Sequence, residues 1–269
     1  MSRQHLEIVA QAVRAHLFIL CPNNSGSTYL SRAIAESNKV WSLEREGQHV
    51  VGFAGPQTLN SPWPLIWGAN EESVAYFQDS LEYDWARTRK AWYVQATAKR
   101  NDAPVFHTKA PPFLLIADQL VEAFENTRFI IMVRNPYAAL EGILRRWQRM
   151  DVERRSPDLA ETGARHLVTC FKQQRRNIER FGGQSITFTY EELCDDPKDT
   201  AARIARLVPE LDDLDLSQRL AIKGSYDEPL RNMNAEQIER LTSEEIERAN
   251  AVFSENAQLL AHFGYALVD

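Results

Sequence analysis

Two short stretches of this chain carry residue types suited to holding an anion. The first is Pro22-Asn23-Asn24-Ser25-Gly26-Ser27-Thr28, which lies between a continuously apolar run, Leu17–Cys21, and a helical pattern that starts at Tyr29. A turn of small hydroxyl residues and glycine at a strand-to-helix junction aims several backbone N–H groups at one point. The first-turn amides of the helix add to them, and together they suit a phosphate. The loop lacks the G-x-x-x-x-G-K-[ST] spacing of a nucleoside triphosphatase, so the phosphate need not belong to ATP.

The second stretch is Phe129–Gly142, FIIMVRNPYAALEG. Arg134 follows directly on a buried strand, and Asn135-Pro136 then opens a helix. A guanidinium is a planar fork of donors that meets phosphate oxygens two at a time. Alone, an Arg-Asn-Pro after a strand marks a structural turn with a surface arginine. Beside the first loop it marks a second contact to the same anion.

A proton acceptor and a further cation have candidates nearby. Lys109, in His107-Thr108-Lys109-Ala110-Pro111, ends a strand and faces the same edge. Leu43-Glu44-Arg45-Glu46-Gly47-Gln48-His49 follows another strand and offers Glu44, Glu46 and His49 as bases. His107 is either a core histidine or points with Lys109, since two residues along a strand restore the same face. Arg145, Arg146, Arg149, Arg154 and Arg155 read as a solvated helix face or as a positive rim. Glu191, Glu192, Asp195 and Asp196 read as helix caps. No set of His, Cys and carboxylates has zinc spacing, so no metal is expected.

These residues need a frame that brings strand ends together. Runs of strand character recur at Leu17–Cys21, Lys39–Leu43, Val105–His107, Phe129–Val133 and Ile186–Tyr190. LFILC and FIIMV are apolar throughout, as in strands covered on both faces of a parallel sheet. Between them Phe113, Ile116, Leu120, Val121 and Phe124 repeat at helical spacing, as do Leu140, Ile143, Leu144 and Trp147. Alternation of this kind implies an α/β fold, whose ligands bind beyond the carboxyl ends of the strands. Residues 54–103 interrupt the alternation with Trp63, Trp67, Trp85 and Trp92 and a long helix expected from about Glu71 to Lys99. They form a helical insertion that packs its own aromatics, walls the substrate, or does both. From Asp195 to the end the pattern reads as helices, and a single domain over residues 1–269 is expected.

Composition narrows the function classes. A chain of this length buries roughly three-quarters of its unfolded surface, enough for one large core. With 31 basic against 37 acidic side chains, the charge balance argues against a nucleic-acid partner. Cys21, Cys170 and Cys194 are spaced as neither a zinc site nor a disulfide framework. No run approaches the ~20 apolar residues of a membrane span, and the N-terminus does not read as a signal peptide. A soluble cytoplasmic protein is expected, with no membrane partner; the oligomeric state is left open.

The two anion motifs, in this order, resemble the sulfotransferases that use 3′-phosphoadenosine-5′-phosphosulfate (PAPS). In that family a P-x-S-G-T-T loop grips the 5′-phosphosulfate, and here it is matched by residues 22–28 with one extra residue. A later R-x-P holds the 3′-phosphate, and here it is Arg134-Asn135-Pro136. ITFTYEELCDDP resembles the family's Y-E-D-L-x-x-D-P segment, so Tyr190 inherits a place near the adenine. Lys223-Gly224 resembles a pair that closes over the 3′-phosphate, and NMNAEQIERL followed by HFGY resembles the ending of bacterial members. The resemblance implies a three-layer, P-loop-like parallel sheet and sulfuryl transfer to a hydroxyl or amine of a small molecule, with release of 3′,5′-adenosine bisphosphate. It implies that Asn24, Ser25, Gly26, Ser27 and Thr28 bind the cofactor with Arg134, Tyr190, Lys223 and Gly224.

Two positions depart from the family pattern. Asn24 stands where a Lys or Arg usually bridges to the departing oxygen, and Gly142 stands where a serine often touches the 3′-phosphate. Arg145 and Arg146 are candidates to compensate. Lys109 resembles the lysine of a K-[ST]-P segment between donor and acceptor, and Glu46 sits where bacterial relatives place a carboxylate, so these two are expected to be catalytic. Two other readings are an ATP-dependent phosphotransferase and a nucleotide-binding relative without turnover.

Overall fold

The computed structural model describes residues 3–149, 158–222, 226–228 and 230–269. Five strands, β1 (Ala15–Leu20), β2 (Val40–Ser42), β3 (Val105–Lys109), β4 (Thr127–Val133) and β5 (Ser185–Thr189), form one sheet in the order β2-β3-β1-β4-β5. Every pairing in it is parallel. The five runs expected from the sequence are these five strands, with ends displaced by a residue or two. An antiparallel hairpin of β6 (Leu220–Ile222) and β7 (Tyr226–Glu228) lies in the stretch read as helical. Strands this short carry too few residues for a period of two to register.

Alternation along β1 separates the layers. Leu17 and Ile19 pack with Leu30 and Ile34 of α2 (Ser27–Ala35) and with Ile204 of α9 (Pro197–Leu207). Phe18 and Leu20 point the other way, into a core with Trp92, Phe113 and Phe124. A further core joins α6 (Pro136–Gln148), α7 (Leu159–Arg180) and α11 (Ser243–Phe253) through Leu140, Ile143, Leu167, Phe171 and Phe253. The parallel sheet flanked by helices agrees with the fold class expected. Among the described residues no helix is long and apolar enough to cross a membrane.

The insertion differs from its expected form. Instead of one long helix it has α3 (Glu71–Gln78) and α4 (Trp85–Gln95), separated by a short 3-10 turn, Ser80–Glu82. The side chains of Asn70, Asp79 and Asp84 accept from the amides of Ser73, Leu81 and Arg87, so each starts a new helical segment. Short polar side chains compete with the helix for its own backbone, and here they break it twice. Trp92 stacks on Phe53, Phe106 and Phe124, and Trp67 is wholly buried. Trp67 and Trp92 are therefore core, whereas Trp63 and Trp85 are half-buried and Tyr76 is exposed.

Candidate active site

The carboxyl ends of β1, β3 and β4 open on a cleft of about 1050 Å³. Asn24, Gly26, Ser27, Thr28, Glu46, Lys109, Arg134 and Tyr190 all line it. The two anion motifs, far apart in sequence, thus meet at one sheet edge, where ligands of open α/β sheets bind.

The first motif leaves β1 and reaches α2 through a backbone that turns left-handed twice, at Asn24 (φ 60°) and Gly26 (φ 85°). Gly26 is required for a second reason: a Cβ there would lie 2.6 Å from Tyr190 Cδ2. The Ser25 hydroxyl donates back to the Pro22 carbonyl and closes the bend. The helix begins at Ser27, two residues before the start read from the sequence, and no side chain caps it. Among the described residues no acceptor takes the amides of residues 24–28; the first amide engaged is that of Tyr29, on Gly26 O at 3.1 Å.

Arg134 leaves β4 into the same edge and is 6 % exposed. Its Nη1 donates to the Asn24 carbonyl at 2.7 Å, its Nε to Asn234 Oδ1 at 2.9 Å, and its Nη2 to Gln237 Oε1. Its guanidinium lies 4.0 Å from the centroid of the Tyr190 ring. Burial lowers its pKa, against the opposing pull of Tyr190 and Glu191. Burial also pushes the Tyr190 phenol up to about 12, and its hydroxyl donates to Arg231 O at 2.7 Å. Asn135 caps α6, and the capping box of Thr189 and Glu192 starts α8 (Tyr190–Asp195). Glu191 braces the corner by accepting from the Asn135 amide and from Asn234 Nδ2. Glu192 and Asp196 are the helix caps expected of them, while Glu191 is a brace.

Asn234 and Gln237, on α10 (Asn234–Ile238), carry no role in the sequence reading, where their segment is matched only as a chain ending. Only its amide-rich composition hinted at a hydrogen-bonding task. Lys223 and Gly224 lie outside the described residues, as do Arg154 and Arg155.

At the β3 side Lys109 and Glu46 form an ion pair, with Lys109 Nζ 2.6 Å from Glu46 Oε1. Gln48 Nε2 donates to the other carboxylate oxygen at 3.3 Å, and His49 Nε2 stands 3.8 Å from it. Burial alone would raise the Glu46 carboxyl. The charge and hydrogen bond of Lys109, with help from Gln48, outweigh it and hold the group below the usual carboxylate range. Burial lowers the His49 pKa despite Glu46, so the imidazole is neutral near pH 7. His107 is elsewhere: wholly inside, it meets Leu17 O at 3.0 Å and Ser31 Oγ at 2.9 Å, and burial lowers its pKa to about 4. It is a satisfied core histidine. Glu44 is exposed and does not line the cleft.

The two departures from the family pattern touch each other. A Cβ on Gly142 would fall 2.8 Å from Asn24 Cβ. The Asn24 Nδ2 is buried with no hydrogen-bond partner among the described residues. Of the arginines considered as compensation, Arg145 is committed to Glu245 at 3.1 Å and to Glu141 at 3.5 Å. Among the described residues no group of three or more His, Cys, Asp or Glu could hold a metal ion.

Comparison with known proteins bears on the family and the fold. Residues 16–210 match the family model of the sulfotransferase family. The fold is that of sulfotransferase STF9 from Mycobacterium avium, with a TM-score of 0.58 and 17 % identity over 98 % of this chain and 81 % of that one. The sulfotransferase domain of the Synechococcus olefin synthase superposes with a TM-score of 0.56 and 19 % identity, over 95 % of this chain and 96 % of that domain. A sulfotransferase from Alicyclobacillus acidocaldarius gives 0.52 and 16 %, over 95 % and 98 %. A search of curated proteins finds no match to the chain. With more than half of its length matched by the family model and its fold shared with solved sulfotransferases, the chain belongs to the sulfotransferase family and is a sulfotransferase enzyme.

Proposed function

We propose that this enzyme takes its sulfuryl group from PAPS and passes it to a hydroxyl or amine of a small-molecule acceptor in the cytoplasm, acting as a single domain. One observation carries the reading: the phosphate-loop residues Asn24, Gly26, Ser27 and Thr28, whose amides have no acceptor among the described residues, and the Arg134 guanidinium line one cleft, joined by the 2.7 Å bond from Arg134 Nη1 to Asn24 O. A doubly phosphorylated nucleotide fits such a pair of anion contacts, with Gly26 permitting close approach of the backbone. When bound, PAPS supplies the electrophilic sulfuryl group and a phosphate as its leaving group.

The residues divide the work. Asn24, Ser25, Gly26, Ser27 and Thr28 hold the 5′-phosphate through backbone amides and hydroxyls. Arg134 holds the 3′-phosphate through the N–H groups not spent on Asn24, Asn234 and Gln237, joined by Lys223 and Gly224. Tyr190 supports the adenine side by fixing the Arg134 plane. Lys109 stabilises charge on the departing oxygen, a role that matters more because Asn24 is neutral. Glu46 accepts the acceptor's proton, becoming a stronger base whenever Lys109 turns from it toward the donor's oxygens.

Calorimetry with adenosine bisphosphate and with ATP plus magnesium tests the donor. Tighter binding of the bisphosphate supports the reading, whereas tighter binding of magnesium ATP replaces it with a phosphotransferase. Tight bisphosphate binding without sulfation of any acceptor in a broad panel would favour a relative that binds without turnover, the reading that Asn24 suggests.

A further inference from the structure

Among the described residues seven cationic side chains line the cleft, and five of them are already engaged. Lys109 pairs with Glu46, and Arg134 is held by Asn24, Asn234 and Gln237. Arg145 pairs with Glu245, Arg231 with Glu236, and Arg240 with Glu141 at 3.7 Å. Arg146 and Arg149 differ. Both are exposed, and among the described residues neither side chain has a hydrogen-bond or ion-pair partner.

Their place in the cleft is specific. Gly142, Arg146 and the helix-terminal Arg149 follow one another at spacings of four and three along α6, so they share one helix face. Gly142 packs against Asn24 of the phosphate loop, which fixes the inner end of this stripe. Arg146 lies one turn farther out, about 6 Å along the axis, and Arg149 lies beyond it. Glu46, Gln48 and His49 line the same cleft. Burial lowers the proton affinity of His49 and the charge of Arg146 adds to it, so Arg146 lies within electrostatic reach of the residue beside Glu46. Among the described residues the insertion contributes Thr58, Pro64 and Leu65 to the cleft, none of them charged or aromatic.

We propose that Arg146 and Arg149 hold an anionic group on the acceptor, a carboxylate or a phosphate, so that the enzyme sulfates a hydroxylated or aminated acid and not a neutral alcohol. This rests on the donor reading above. The physical reason is that the donor is itself an anion whose charge is met by the loop amides, Lys109 and Arg134. A second anion brought beside it needs its own countercharge, and two cleft-lining guanidinium groups without a partner among the described residues provide one.

The test uses the full chain saturated with adenosine bisphosphate, whose binding is first confirmed by calorimetry. Failure at that step rejects the donor reading and not the acceptor class. The probes are 4-hydroxyphenylacetate and 3-hydroxybutyrate, each beside its methyl ester, and glycerol 3-phosphate beside glycerol; binding is measured by calorimetry and sulfation with labelled PAPS. At least one acid should bind tenfold or more tightly than its neutral counterpart. The successful pair separates carboxylate from phosphate recognition. R146Q/R149Q should abolish the preference with less than threefold change in bisphosphate affinity, and R146K/R149K should keep most of it. A panel with no preference for the acids, or a preference that survives R146Q/R149Q, overturns the proposal. So does a loss of bisphosphate affinity in R146Q/R149Q, which would assign both arginines to the donor.

Discussion

Asn24 fills the space that any side chain at position 142 would need: a Cβ built on Gly142 meets Asn24 Cβ at 2.8 Å and Cγ at 2.9 Å. The neutral residue in the phosphate loop and the missing hydroxyl on α6 are thus a single packing arrangement. Gly142→Ser forces the loop or the helix to shift, at a cost of about 1–3 kcal/mol for an overpacked contact. Urea unfolding should show that loss. Asn24→Gly removes the obstructing side chain at a residue whose φ of 60° glycine adopts freely. The double variant should recover at least half of the lost stability, and strictly additive losses would break the coupling.

Arg134 joins the nucleotide's two proposed contacts, because the fork that faces the cleft also holds the loop by Asn24 O. Arg134→Ala should weaken adenosine bisphosphate binding by about 1.5–3 kcal/mol, the scale of a lost charge-assisted bond. Arg134→Lys should recover little, since an ammonium cannot serve Asn24, Asn234 and Gln237 at once while stacking on Tyr190. An affinity unchanged in calorimetry would remove Arg134 from the cofactor site.

The sheet was legible because β1 and β4 carry apolar runs on both faces, LFIL and FIIMV, a signal contained in four or five consecutive residues. The loop at residues 22–28 and Arg134 were legible because their chemistry is local to strand ends. What escaped depends on long-range contacts. Asn234 and Gln237 reach Arg134 from about a hundred residues downstream, and amides carry no periodic pattern. The break between α3 and α4 turns on Asp79 and Asp84, which read equally well as surface residues of one continuous helix. Arg145 and Arg146 are adjacent and both line the cleft, yet only Arg145 has an ion-pair partner among the described residues, a difference fixed only by helix packing.

His107 gives a prediction about acid stability. Its folded-state pKa, about 4, lies below the ordinary value of 6.5. Between those values the unfolded chain binds a proton that the folded chain does not, so stability falls as pH drops through that window. His107→Gln removes the titration and should flatten the fall measured by urea midpoints from pH 7 to pH 4. It should cost about 1–3 kcal/mol at pH 7, for the polar contacts to Leu17 and Ser31. Turnover of the folded variant should stay within about threefold of the parent, as for a core residue with no direct role. A collapse of turnover with cofactor affinity intact would return His107 to the reaction.

The Lys109–Glu46 pair separates binding from chemistry. Lys109→Met removes the cation proposed for the departing oxygen, so turnover at saturation should fall about a hundredfold or more, the scale for one electrostatic contact to the transition state. Adenosine bisphosphate, which lacks the sulfuryl group, should bind with much less change. The same substitution leaves the Glu46 carboxyl buried without its partner, so its pKa should rise and the acidic limb of the residual activity should move to higher pH. Stability carries the same sign as for His107, because both groups have a folded-state pKa below the unfolded one and both lose stability as pH falls. A carboxyl held low by Lys109 stabilises the fold fully above its unfolded value, near 4.5, and that stabilisation is lost as pH falls through the lower folded value. The difference in unfolding free energy between parent and variant should therefore be full at pH 6 and close as the pH drops below about 4. If affinity falls as far as kcat/KM while turnover at saturation is unchanged, Lys109 is a donor ligand only, and the charge on the leaving oxygen is met by another group.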